Sequence, residues 1–288
     1  MNLYEETKFL LDKYHIQASK RLGQNFLIDE NVVEDILKAA EITREDLVIE
    51  IGPGLGTLTS ALLEKAKKVV SIELDDRMLE ILKDRFQLYS NFTLIHGDIL
   101  KLDLKTIMEK EKEESKAQDI KIVANLPYYI TTPIVMKLLE ERLPITSITI
   151  MIQKEVAKRL TAKPGEKEAG AITYAVSYYA KAQEKREVPH TAFLPSPEVE
   201  SEVISLQIRK KPKVQVKNEK LLFQIIKAAF SQRRKTLLNS LANNNIIEKE
   251  KLRKFLQKEG LSETIRGEAF TLEQFAKLSD CIQEEAKC

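Results

Sequence analysis

The densest chemistry in the chain lies in four consecutive residues, Asn125-Leu126-Pro127-Tyr128. A side-chain amide oxygen next to a backbone carbonyl offers two hydrogen-bond acceptors close together. That pair suits an exocyclic amine on a nucleobase, whose lone pair is delocalised into the ring and must be localised before it attacks. The Asn125 oxygen and the Leu126 carbonyl can each accept one N–H of such an amine, which favours a pyramidal nitrogen. Pro127 holds the backbone that presents them, and Tyr128 supplies a ring to stack on the base. Catalysis of this kind is electrostatic and orientational and needs no covalent nucleophile. A target base in a duplex would have to flip out, whereas an unpaired base is cheaper to capture.

A second constellation lies upstream. Glu50-Ile51-Gly52-Pro53-Gly54-Leu55-Gly56 closes a β-rich run and opens a helical one. Glycines there let the backbone turn tightly and let a ligand approach the N–H groups of a helix N-terminus. Glu73 ends the next β-rich run, 17 residues beyond Gly56, where a carboxylate can accept hydrogen bonds from both hydroxyls of a ribose. Asp98 ends the third run, placed to reach an adenine amino group. Three such positions at the C-terminal ends of strands form a crevice for an adenosine-bearing cofactor. NAD is the runner-up, because Thr57 stands where the third glycine of its fingerprint belongs. The order resembles that of class I S-adenosylmethionine-dependent methyltransferases, and S-adenosylmethionine is the cofactor expected.

These residues need a scaffold, and the hydrophobic pattern predicts one. Residues 46–51, 68–73, 92–98, 119–125 and 147–153 read as nearly continuous apolar strands, as strands covered on both faces should. Helices are predicted at 30–40 with Asp29 as N-cap, and at 57–66, 75–86 and 132–142. This alternation predicts an α/β fold with a doubly wound, mostly parallel, Rossmann-like sheet. AITYAVSYYA (171–180) and SEVISLQIR (201–209) read as two further strands, an edge hairpin on that sheet. From residue 219 the pattern is helical. The expected organisation is a methyltransferase domain over 1–209 and a small all-α domain over 210–288.

Composition narrows the class. The 288 residues are 43% hydrophobic and 31% charged, which excludes a disordered chain. No stretch approaches 18 uncharged apolar residues, and the N-terminus lacks the build of a signal peptide. The expectation is a soluble, reduced, cytoplasmic protein with no membrane association. Net charge is +2, but residues 205–258 hold 15 basic and 3 acidic side chains, a net of +12, and the remainder is −10. Such a block points to a polyanionic partner. Cys281 and Cys288 lie far from the glycine loop, which speaks against cytosine C5 chemistry. His15, His96 and His190 are dispersed, so no metal site is expected.

Seven segments together give a specific resemblance: KRLGQNFL (20–27), VIEIGPGLGTLT (48–59), Glu73, GDIL (97–100), NLPYYITTPI (125–134), AFLPSPEVES (192–201) and AFSQRRKTLLNSL (229–241). In this order they resemble the KsgA/RsmA-type small-subunit ribosomal RNA adenine dimethyltransferases. The resemblance implies that the segment with Gln24, Asn25 and Leu27 closes over the cofactor, beside Gly52, Gly54, Gly56, Glu73, Asp98 and Asn125. It also implies that Phe193 sandwiches the target base opposite Tyr128, so that Asn125, Leu126, Pro127, Tyr128 and Phe193 form the catalytic set. The implied reaction is dimethylation at N6 of two adjacent adenosines in the 3′-terminal hairpin of 16S rRNA. It takes place on a small-subunit assembly intermediate, late in ribosome biogenesis, with the enzyme acting as a monomer. Arg233, Arg234 and Lys235, read as part of a helix, become phosphate contacts.

Two alternatives stay open at the level of sequence. An Erm-type methylase of large-subunit rRNA shares the cofactor site and the Asn-x-Pro-Tyr logic, although the GQNFL and RRKTLLNSL segments favour the small-subunit branch. A binding protein that keeps the fold, as in organellar transcription-factor relatives, is the other; intact Asn125, Pro127, Tyr128, Glu73 and Asp98 favour a working enzyme.

Overall fold

A computed structural model describes residues 1–232 and 234–285, apart from the side chains of Lys20 and Glu285. The chain forms two compact units: residues 1–157 with 182–208, and residues 158–181 with everything from 209 on. No described helix is long and apolar enough to cross a membrane.

The first unit begins with α1 (Leu3–Lys13), the two-residue strand β1 (Phe26–Leu27) and α2 (Glu30–Ala40). The Asp29 carboxylate caps α2, accepting from the Asn31 and Val32 N–H groups. Strand–helix alternation follows: β2 (Asp46–Ile51), α3 (Thr57–Lys65), β3 (Lys68–Glu73), α4 (Asp76–Phe86), β4 (Phe92–His96), α5 (Leu104–Ser115), β5 (Asp119–Asn125), α6 (Thr131–Glu140) and β6 (Ser147–Gln153). After α7 (Lys154–Thr161) and α8 (Ala171–Tyr179), the chain returns as β7 (Ala180–Val188), β8 (Phe193–Leu194) and β9 (Ser201–Ile208).

Seven strands form one sheet in the order β4-β3-β2-β5-β6-β9-β7. β2 pairs in parallel with β3 on one side and β5 on the other, and β9 runs antiparallel to β6. The chain therefore reverses its direction of winding between β2 and β5. A crevice opens there, at the carboxyl ends of the strands. β2 is buried along its whole length, as its apolar run requires. α2 carries Val32, Val33, Ile36, Leu37 and Ala40 on one stripe and buries all five. Val32, Ile36, Leu62, Met78, Ile81 and Leu82 join one core cluster. Each such side chain contributes about 1.5–3 kcal/mol relative to exposure.

Gly56, the N-cap of α3, has φ +85°, and a Cβ there would lie 2.5 Å from the Phe86 ring and 3.0 Å from Leu82. Its loss of side chain is what lets α3 approach α4. Gly56→Ala combines a left-handed backbone with overpacking and should destabilise the protein by about 2–4 kcal/mol. Urea unfolding followed by circular dichroism measures this, and a loss below about 1 kcal/mol would contradict it.

Two sequence expectations fail here. The stretch 171–180 is not a strand: Ala171–Tyr179 is helix α8. Its β-branched and aromatic residues suggested a sheet, but a helix buried on nearly every side has the same composition. Tyr174 is fully buried, edge-on to Phe275, and its hydroxyl donates to the Phe270 carbonyl at 2.6 Å. Tyr178 and Tyr179 donate to the Glu219 carboxylate at 2.9 and 2.6 Å. These partners belong to the second unit, so α8 groups with the C-terminal helices and the single boundary expected near residue 210 becomes three crossings. The true partner of β9 in the sheet is β7, AKAQEKREV, whose exposed charged residues suit a sheet edge.

The second unit holds α9 (Glu219–Ala229), α10 (Leu237–Asn243), α11 (Lys249–Lys258) and α12 (Leu272–Glu285). Residues 231, 232 and 234–236 are not helical, contrary to expectation. Phe230 caps α9, the Ser231 hydroxyl donates to the Ala228 carbonyl, and Thr236 starts α10 by accepting from the Asn239 N–H. A hydroxyl that caps the next helix cannot continue the previous one.

Candidate active site

The crevice at the switch point is an open cavity lined by segments that lie far apart in sequence, all of them in the first unit. One wall is the turn after β2. Gly52 and Gly54 line it with φ +66° and +56°, and a Cβ on Gly52 would meet nothing within 4 Å. That empty space is what a nucleoside-sized ligand would fill. The loop does not present free glycine N–H groups, contrary to expectation. Gly52 donates to the Ile72 carbonyl at 3.0 Å, Gly54 to Glu73 at 3.2 Å and Gly56 to the Pro53 carbonyl at 2.9 Å. Each is taken by a neighbour in the sheet or turn, so these glycines contribute room. Gly56 lies off the cavity wall altogether, and its role is the α3–α4 contact.

Glu73 faces the cavity and is 7% exposed. Its carboxylate accepts from the N–H groups of Leu74 and Asp75, both at 2.8 Å, and of Gly54. Burial pushes its carboxyl above the usual range, and the backbone donors work against that. The result is a carboxylate fixed at the cavity wall. Asp98 lines the same cavity, its Oδ1 held by the Leu100 N–H at 3.0 Å.

Glu50 was assigned no role by sequence. It lies at the cavity floor, 1% exposed, with Oε2 accepting from the Thr59 and Ser71 hydroxyls at 2.6 Å each. Oε1 is buried with no partner among the described residues. Burial, aided by Glu73, raises its carboxyl to about 7. An acid in the otherwise apolar run LVIEI (47–51) is the signal that marks it.

The segment 22–27 forms the roof. Gln24 lines the cavity, but its side chain is committed: Nε2 donates to Asp75 at 2.8 Å and Oε1 accepts from the Ser19 N–H at 2.9 Å. Gln24 therefore pins the roof to the start of α4. Asn25 and Leu27 also line the cavity.

The opposite wall is Asn125-Leu126-Pro127-Tyr128, held at every other polar point. Asn125 Nδ2 donates to the Asn25 carbonyl at 3.3 Å, and the Leu126 N–H to the Met151 carbonyl at 3.1 Å. The Pro127 carbonyl accepts from the Ile130 N–H and the Thr131 hydroxyl at 3.2 and 3.1 Å. The Tyr128 hydroxyl shares a 2.6 Å hydrogen bond with Ser201, and burial raises its phenol above the ordinary value. Asn125 Oδ1 and the Leu126 carbonyl receive no donor from any described residue. Two acceptors on a fixed backbone beside an aromatic ring are what an exocyclic amine requires.

Phe193 does not stand where the resemblance puts it. It is 3% exposed, paired with Leu27 across β1–β8, and part of the core cluster rather than the cavity wall. In this arrangement the ring is held by core packing and offers no free face to a base. Arg234 and Lys235 are exposed in the α9–α10 connection, outside the cavity, and Arg233 falls outside the described residues.

Comparison with known proteins accords with this site. The family model for ribosomal RNA adenine dimethylase matches residues 15–284. The chain is 50% identical over 278 residues to the ribosomal RNA small subunit methyltransferase A of Clostridium botulinum (strain Loch Maree / Type A3), covering 96% of this chain and 98% of that one. Its likeness to the protein of the same name from Bacillus licheniformis is 47% over 281 residues, 96% of each chain. A dimethyladenosine transferase structure from Plasmodium falciparum superposes with a TM-score of 0.73 at 26% identity, covering 91% of this chain and 98% of that one. The 23S rRNA methyltransferase ErmE shares the fold, with a TM-score of 0.67 at 22% identity over 90% and 100% of the two chains. With matches that extend over nearly its whole length, the chain belongs to the ribosomal RNA adenine dimethylase family.

Proposed function

We propose that the protein transfers methyl groups from S-adenosylmethionine to adenine N6 in ribosomal RNA, at two adjacent adenosines in the 3′-terminal hairpin of 16S rRNA on a small-subunit assembly intermediate. The observation that carries this reading is the pair of unclaimed acceptors, Asn125 Oδ1 and the Leu126 carbonyl, at the edge of a cavity with room for a nucleoside.

The residues present fit S-adenosylmethionine. Glu73 would hold the ribose, Asp98 the adenine edge, and the space over Gly52 and Gly54 the chain between ribose and sulfur. When bound, this group supplies an electrophilic methyl on a sulfonium. Everything else falls to the chain. Tyr128 stacks on the target base, and the two acceptors take its N6–H bonds and aim the lone pair at the methyl. N6 would gain the methyl as its bond to sulfur breaks with the electron pair left on sulfur, and would release one proton to solvent, since no described side chain at the acceptors is a base. For the second transfer, the methylated nitrogen rotates and presents its remaining N–H to one of the same acceptors. Arg234 and Lys235 would contact phosphates elsewhere on the rRNA.

The test is methyl transfer from labelled S-adenosylmethionine to unmethylated small subunits, large-subunit rRNA and a non-ribosomal RNA, with nucleoside analysis. N6,N6-dimethyladenosine from small subunits alone is the expected result. Product on large-subunit rRNA would reassign the substrate, and RNA binding without product would make the chain a binding factor.

A further inference from the structure

Tyr129 is one of the few large aromatic side chains left exposed, at 57%, and it lines the mouth of the cavity. Most tyrosines of this chain bury their rings or commit their hydroxyls, whereas no described residue hydrogen-bonds that of Tyr129. Its ring is nonetheless seated. Gly23, at φ +60°, lies against it so closely that a Cβ there would come 3.3 Å from Cδ1 and 3.5 Å from Cε1 of the ring, and 3.6 Å from Pro127 Cβ. Roof and wall thus meet at Gly23 along one edge of the Tyr129 ring, and the rest of the ring is left exposed. The other exposed apolar side chain at this cavity, Leu74 at 46%, follows Glu73 and so stands on the ribose side. Tyr129 stands on the side of the target base, next to Tyr128.

We infer that Tyr129 is the stacking platform for the nucleotide adjoining the target adenine in the RNA strand. This rests on the proposed function, because it needs an RNA whose target base enters beside Tyr128. Two consecutive aromatic residues have Cα atoms about 3.8 Å apart and can serve two consecutive bases, provided one ring faces inward and the other outward. The inward ring is tied to Ser201 and the outward one is seated along one edge against Gly23. Stacking on the outward ring holds the strand in register while the flipped base is in the cavity. It is tolerant of base identity, because every base has a π face. Tyr129 is a positioning residue and touches no reacting atom.

The experiment compares wild type, Tyr129→Ala and Tyr129→Phe on unmethylated small subunits, with S-adenosylmethionine affinity measured separately by equilibrium dialysis. Tyr129→Ala should raise the KM for subunits by about 5- to 100-fold and leave kcat within about threefold. Tyr129→Phe should restore the wild-type KM, since the ring and not the hydroxyl makes the contact. S-adenosylmethionine affinity should be the same in all three. An unchanged KM in Tyr129→Ala overturns the inference. So does a parallel loss of S-adenosylmethionine affinity, which would mean the ring merely props the 22–27 segment. A wild-type protein inactive on subunits would instead overturn the proposed function.

Discussion

Replacing Asn125 by alanine is expected to lower kcat for methyl transfer by about 10²- to 10³-fold, the scale on which one preorganised polar contact to a reacting group acts. The variant loses the Oδ1 acceptor outright and leaves the Leu126 carbonyl to hold the amine alone. It also loses the bond to the Asn25 carbonyl, so some weakening of cofactor binding accompanies it. That second loss is a single neutral hydrogen bond of about 0.5–1.5 kcal/mol, or roughly tenfold at most. The two effects therefore separate: kcat falls by orders of magnitude, and S-adenosylmethionine affinity by about a factor of ten or less. Single-turnover transfer and equilibrium dialysis read them independently. Asn125→Ala with full kcat would sink the acceptor mechanism.

The second large effect concerns pH. Glu50 has its carboxyl raised to about 7 by burial, with Glu73 adding to the rise and the Thr59 and Ser71 hydroxyls opposing it. In the unfolded chain it titrates near 4.5. Between those values the native state holds a proton that the unfolded state has released, so stability falls as pH rises. The contribution is fully present below about 4.5 and lost by the time pH passes about 7. At 1.36 kcal/mol per unit, the loss is roughly 3 kcal/mol. Glu73 is raised for the same reason and acts in the same direction. Glu50→Gln keeps an oxygen for the two hydroxyls and has no charge to bury. It should match wild type near pH 5 and exceed it by roughly 2–3 kcal/mol near pH 8. Denaturant melts at the two pH values decide; a difference independent of pH would remove Glu50 as the titrating group.

What could be read from sequence had its determinants close together in the chain. Parallel strands buried on both faces leave continuous apolar runs, so 46–51, 68–73, 119–125 and 147–153 appear in the structure with the same bounds. The acceptor pair was legible because its atoms lie on adjacent residues, 125 and 126. Features that depend on distant partners were not. The raised carboxyl of Glu50 comes from burial and from Glu73, against the Thr59 and Ser71 hydroxyls, and the commitment of Gln24 needs Asp75. Whether AITYAVSYY is strand or helix was decided by Glu219, Phe270 and Phe275, some 40 to 100 residues away. Phe193 could be aligned with a motif, but its burial against the core could not be read from the motif. The +12 block was visible as a count, while its pairing was not: Lys213, Lys217 and Arg253 each face a carboxylate.

The bond from Asn125 Nδ2 to the Asn25 carbonyl joins residues 100 positions apart, which in the proposed reading stand in the roof over the cofactor and in the wall that receives the base. Its energetic meaning is reciprocity. A ligand that immobilises the roof lowers the entropy cost of aligning the Asn125 amide, and a base that locks the amide steadies the roof by an equal free energy. The two ligands thus recruit each other without touching. The coupling is at most the value of one neutral hydrogen bond, about 1 kcal/mol, so it favours the ternary complex without making release of the spent cofactor slow.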